Sequence, residues 1–130
     1  MALLVASGHL PVTIEPLDNP RIGRRWVDAG RLYAYNTDMR VVWDPKKAAA
    51  NLLRHRVRFS DAEGALFDPM ALTREDEGTE GERRFVSIGM DHLARVVVVV
   101  FSSRGESTRL SSARRATSKE CQQYAQRVRL

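Results

Sequence analysis

The chain has 130 residues, with 21 Lys and Arg against 16 Asp and Glu for a net charge of +5, a length that holds one small core and excludes a multidomain enzyme. At 43% hydrophobic and 28% charged residues, the composition is that of a packed globule and excludes a disordered or low-complexity chain. A single cysteine, Cys121, rules out an intrachain disulfide. With only three histidines beside it, no metal and no cofactor is expected, and the reducing cytoplasm is the expected compartment. The apolar opening Met-Ala-Leu-Leu-Val-Ala is too short for a membrane span and carries no basic leader, so no membrane association is expected.

Residues 1–38 carry prolines at 11, 16 and 20, show no sustained period and balance their charges. They are expected to be an N-terminal extension, poorly ordered or upstream of a natural start at Met39, with a regulatory arm as the rival reading. The domain proper is expected over residues 39–130. Arg40 to Trp43 alternates like a strand, and Asp44-Pro45 supplies an N-cap and a first-turn proline for a helix running to about His55. On that helix Ala48, Ala49, Leu52 and Leu53 form an apolar stripe, while Lys47, Asn51 and His55 fall on a polar face.

Ser60-Asp61-Ala62-Glu63 reads as a capping box opening a short helix through Phe67, with Phe59, Ala62, Leu66 and Phe67 inward. Arg74 to Arg84, acidic and glycine-bearing, reads as a solvated loop. Phe85–Met90, Arg95–Ser102 and Ser107–Ala113 form a meander whose valine run, Val96 to Phe101, is buried on both faces. Thr117-Ser118-Lys119-Glu120 opens a last helix, with Cys121, Tyr124, Ala125 and Val128 inward. The expected fold class is α+β, a small antiparallel sheet in the order β-α-α-β-β-β-α.

Charge is segregated along the chain: residues 39–59 carry a net +5, residues 60–91 a net −6 and residues 92–130 a net +6. A basic surface for phosphate follows if the first and last blocks meet, although any single arginine is more often a solubilising group. The densest cluster is Arg104, Arg109, Arg114 and Arg115, just before a helix N-terminus, and arginine's planar fork matches phosphate. Alternation places Arg109 and Arg114 on opposite faces unless a bulge intervenes. His55, between Arg54 and Arg56, can move a proton near neutral pH, or it can simply close a helix C-terminus. Tyr124 fits the core better than a stacking role.

The segment Trp43-Asp44-Pro45-Lys46, Asn51-Leu52, His55, Val57, Phe59 and Ala62 resembles the opening of the BrnT toxin family. Glu82-Arg83-Arg84-Phe85, Ile88-Gly89, Arg104-Gly105 and Ser112-Ala113-Arg114-Arg115-Ala116-Thr117 with Glu120 and Tyr124 resemble its ending. The likeness covers residues 39–130. It implies a RelE-like fold and the toxin of a type II toxin-antitoxin module that cleaves RNA. Because the RNA's own 2′-hydroxyl can attack the adjacent phosphate, a metal-independent endoribonuclease is expected. The implied partners are an RNA substrate and a BrnA-like antitoxin, with promoter DNA met only through the antitoxin. Residue by residue, its basic helix end maps to Arg54 and His55, and its arginine-rich turn and strand end map to Arg104 and Arg114. Together with the chemistry of the basic cluster, the expected catalytic residues are His55, Arg104 and Arg114, and the expected RNA-binding residues are Arg54, Arg109 and Arg115. The family commonly has lysine-histidine-glycine where this chain has Arg54-His55-Arg56, which removes a lysine as the proton acceptor. A non-catalytic basic RNA-binding module is the alternative, since the same surface would hold a backbone without cutting it.

Overall fold

A computed structural model describes residues 27–28, 40–76, 83–104 and 107–128. Six strands form one sheet in the order β1-β3-β4-β5-β6-β2. They are β1 (Val27–Asp28), β2 (Arg40–Val42), β3 (Leu72–Asp76), β4 (Arg83–Met90), β5 (Val96–Arg104) and β6 (Ser107–Arg115). Helices α1 (Pro45–His55), α2 (Phe59–Ala62) and α3 (Ser118–Val128) complete the chain, with a 3-10 turn at Glu63–Phe67 between α2 and β3. The α+β class expected from the sequence is the one observed. The sheet is mixed: β2 joins the edge beside β6 in parallel, while β3, β4, β5 and β6 run antiparallel.

Most elements arise where the local signals stand. The Asp44 carboxylate accepts the Lys46 N–H at 3.0 Å and Pro45 fills the first helical turn, so α1 starts at the expected residue. The Thr117 hydroxyl accepts the Glu120 N–H at 3.2 Å, and the Glu120 carboxylate accepts the Thr117 N–H at 2.8 Å. This reciprocal box opens α3. Valines 97, 98 and 99 are all buried, with β4 and β6 on either side of β5.

One face of the sheet packs against α1, α2 and the 3-10 turn through Phe59, Ala62, Ala65, Phe85, Val97, Val99, Phe101, Leu110 and Ala113. The other packs against α3 through Val86, Ile88, Val98 and Tyr124.

Five expectations are corrected. Asn51 is buried, not solvated: its amide donates to the Val57 and Ala113 carbonyls at 2.9 and 2.8 Å and accepts the Ala113 N–H at 3.0 Å. Leu53, placed on the inward stripe, is 84% exposed, because Asn51 turns the helix so that the core meets it and Ala48 instead. The Ser60 capping box does not form, since α2 begins at Phe59 behind Arg58 and Ser60 lies inside it, while Phe67 at its far end is exposed. Within the expected 74–84 loop, residues 74–76 and 83–84 belong to paired strands, and residues 77–82 lie outside the described set.

Of the expected N-terminal extension, only Val27–Asp28 is described, paired antiparallel with Leu72 and Thr73; the remainder lies outside the described residues.

α1 closes on Arg56, whose φ of 59° is left-handed and whose N–H reaches the Leu52 carbonyl. This is the position where the resembled family has glycine, which adopts such a conformation without the steric cost of a Cβ. Arg56→Gly is therefore expected to raise stability by about 1 kcal/mol, read as a higher melting temperature.

Candidate nucleic-acid interface

Strand register decides which arginines meet. In β6, Leu110 faces Phe101 and Ser112 faces Val100, so Ser111 is an extra residue opposite the Val100–Phe101 step. The bulge shifts the alternation by one. Leu110 and Ala113 consequently share the α1 face, and Arg109 and Arg114 share the opposite one. The expectation of opposite faces for this pair, stated for an unbulged strand, is thus corrected by Ser111.

A row across the α3 face runs Val42, Arg109, Ser102, Arg84, Asp76. Arg109 and Arg84 flank Ser102, two strand spacings or about 10 Å apart at Cα. Arg40, opposite Ser107, and Arg74, opposite Val86, point to the same face in neighbouring rows. Helix α3 covers the end of this face that holds Val86, Ile88 and Val98, and the arginine row lies beyond it. Arg109 is half-buried and lines a cleft of about 260 Å³ with Val42, Trp43 and Ser107. The Arg84 Nε is buried with no hydrogen-bond partner. A buried donor left unpaired costs about 1–3 kcal/mol.

The six residues singled out in the sequence do not converge. Arg114 shares the face but its fork is occupied: it binds both Glu120 oxygens, at 2.8 and 2.9 Å. The Glu120 hydrogen bond raises the Arg114 pKa further, against the opposing effect of burial. Arg104 ends β5 opposite Ser107, six residues and about 20 Å along the strand from Val98, the partner of Arg114. Arg54 and His55 end α1, which is tied to the other face through Asn51 and Ala113. Arg115, opposite Val97, alternates to that same α1 face.

Sequence reasoning missed Arg40, Arg74 and Arg84 as site candidates. The available signal was the weak alternation that buries Ala71 and Thr73 while leaving Leu72 and Arg74 on the other side.

The Arg114–Glu120 pair links β6 to α3, and the Arg114 hydrogen bonds, ahead of those from Thr117, hold the Glu120 carboxyl down at about 2. At the other side of α3, the Tyr124 hydroxyl donates to Asp68 Oδ2 at 2.6 Å; burial first, and then Asp68, raises its pKa. An unfolded Glu titrates near about 4.3, so between that pH and about 2 the unfolded state binds the extra proton. The stabilisation is therefore present above the unfolded value and lost as pH falls through this window. Thermal unfolding from pH 7 to 2.5 is expected to show a steeper acid loss for the parent than for Glu120→Gln.

A family model described as "Ribonuclease toxin, BrnT, of type II toxin-antitoxin system" matches residues 43–120, from the end of β2 to the first turn of α3. This chain belongs to the BrnT family. The family is one of ribonuclease toxins whose setting implies an antitoxin partner and an RNA substrate. Among solved structures, the Brucella abortus ribonuclease toxin BrnT, a 1.1 Å crystal structure, is similar at 23% identity, covering 62% of this chain and 99% of that one, with a TM-score of 0.47. No curated protein matches. Among the described residues, no helix is long and apolar enough to cross a membrane, and no three His, Cys, Asp or Glu side chains gather as metal ligands.

Proposed function

We propose that this BrnT-family chain is an endoribonuclease toxin that binds and cuts RNA on the α3 face of its sheet. The observation that carries the reading is the pair Arg84 and Arg109 on either side of Ser102, one with a buried unpaired donor and the other lining a cleft. Two fixed forks at this spacing suit successive or branching phosphate oxygens.

In the reaction the ribose 2′-oxygen attacks the adjacent phosphorus and the bond to the 5′-oxygen breaks. A 2′,3′-cyclic phosphate and a free 5′-hydroxyl result, with the proton lost from the 2′-hydroxyl balanced by one gained at the leaving oxygen. The phosphorane intermediate gathers negative charge, which Arg109 and Arg84 stabilise, and the sheet holds the backbone so that the attacking oxygen lies in line. Arginine stays protonated and does not act as the base. The nucleophile is internal to the substrate, so the chemistry as written calls on no metal. Arg40 and Arg74 extend the basic face for flanking phosphates, and Arg104 belongs by register to the row that holds Arg40 and Ser107.

The test is cleavage of naked RNA by the purified protein with a chelator present, beside Arg109→Ala and His55→Ala. The expected result is cutting that Arg109→Ala loses and His55→Ala keeps. Loss with His55→Ala and retention with Arg109→Ala would move the chemistry to the α1 face. Salt-sensitive RNA binding with no cutting would establish the non-catalytic binding module instead.

A further inference from the structure

The α1 side of the molecule carries a second surface, which shares Trp43 with the Arg109 cleft. Trp43, Ala48, Ala49, Leu52 and Phe59 line a groove of about 230 Å³ between α1 and α2, with Arg58 and Ser60 at its border. Leu53, one turn along from Ala49, extends this apolar strip and is 84% exposed.

The cations beside it are unpaired. Arg58 borders the groove, and Lys46, three residues before Ala49 and seven before Leu53, lies on the same flank of α1; both are exposed, and neither enters an ion pair among the described residues. Lys47 and Arg54 fall on the opposite flank of the helix. Asp44, the one acid in this stretch, is committed to capping α1. The acids that follow, Asp61 and Glu63, come after Ser60, and the Asp61 carbonyl already faces the β4–β5 turn through His92.

We infer that this groove docks an acidic amphipathic helix of a protein partner, the chemistry expected of the antitoxin that the family's setting implies. An apolar floor takes leucine-sized side chains at i, i+3, i+4 and i+7, and the unpaired cations take the carboxylates beside them. RNA fits the rim but not the floor. Trp43 stands edge-on to Phe59 at 5.9 Å and 79°, and Phe59 is itself buried. The partner's class rests on the family. The groove and the Arg109 cleft share Trp43, but Leu53 lines neither of them and Arg109 lines only the cleft, so variants at these two residues read docking and cleavage separately.

The probe is a fluorescein-labelled peptide of glutamates and leucines with leucines at helical spacing, and its control is a scrambled peptide of the same composition. Fluorescence anisotropy with the full chain is expected to show about tenfold tighter binding of the ordered peptide. Leu53→Glu, a change at an exposed helical position that leaves the core untouched, is expected to abolish that preference, and Arg109→Ala to keep it. Equal affinity for the two peptides would overturn the inference. So would an ordered-peptide preference that survives Leu53→Glu or disappears with Arg109→Ala. RNA binding lost on Leu53→Glu would assign the groove to RNA. Because peptide binding is read without cleavage, its failure is distinguishable from failure of the ribonuclease reading.

Discussion

Asn51→Leu is expected to lower stability by about 3–5 kcal/mol, enough to shift the midpoint of thermal unfolding by about 10 °C or more in a small domain. The amide is the joint between α1 and the sheet. It serves the Ala113 N–H and carbonyl in β6 and the Val57 carbonyl in the chain leaving α1. Leucine nearly matches the volume and removes all three bonds, leaving buried backbone groups with no access to water. Asn51→Asp separates the contributions: it keeps the acceptor for the Ala113 N–H and places a charge against two carbonyls, so it is expected to be at least as damaging. Circular dichroism melts of the three proteins measure the order, and a leucine variant as stable as the parent would remove Asn51 from this role.

Arg84→Met is expected to separate stability from activity in opposite directions. The unpaired Nε is a liability in the unliganded protein, so a flexible apolar side chain of similar length is expected to leave stability unchanged or raise it by about 1 kcal/mol. Cleavage is expected to fall about 100-fold, the scale of losing one preorganised donor at a developing oxyanion. Arg109→Ala is expected to fall by a similar factor. The double variant is expected to fall by less than the product, because both side chains serve one phosphate. Melting curves and single-turnover cleavage of the same preparations decide it. Parallel losses of stability and activity would make Arg84 a packing residue.

The fold was legible wherever the signal was local. Asp44-Pro45 and the Thr117–Glu120 box act within four residues, and each starts its helix where expected. The valine run reads as a central strand because nothing polar interrupts it, and it lies between β4 and β6. Asn51 was misread because helical spacing groups it with Lys47 and His55, and only a partner 62 positions away shows that it is buried. Strand β3 was hidden by Arg74, Glu75 and Asp76, charges that are tolerated because the strand is half-buried and Glu75 pairs with Arg83 at 2.9 Å. Among candidate site residues, the basic character of the C-terminal block was readable. Which arginines share a face was not, since one inserted residue at Ser111 exchanges the faces of everything after it. Arg114 was singled out for its place before a helix, and that place is also what gives it Glu120.

The parallel pairing of β2 with β6 has a kinetic consequence. Arg40 lies beside Ser107, and every other strand pair in that span is closer in sequence, so this edge closes the longest loop in the described sheet. Loop closure on that scale makes it a slow, late event in folding, and during synthesis it waits until β6 has left the ribosome. Val42 and Arg109, from opposite ends of that loop, stand side by side in the lining of one cleft. A nascent chain stopped before β6 therefore has no such cleft.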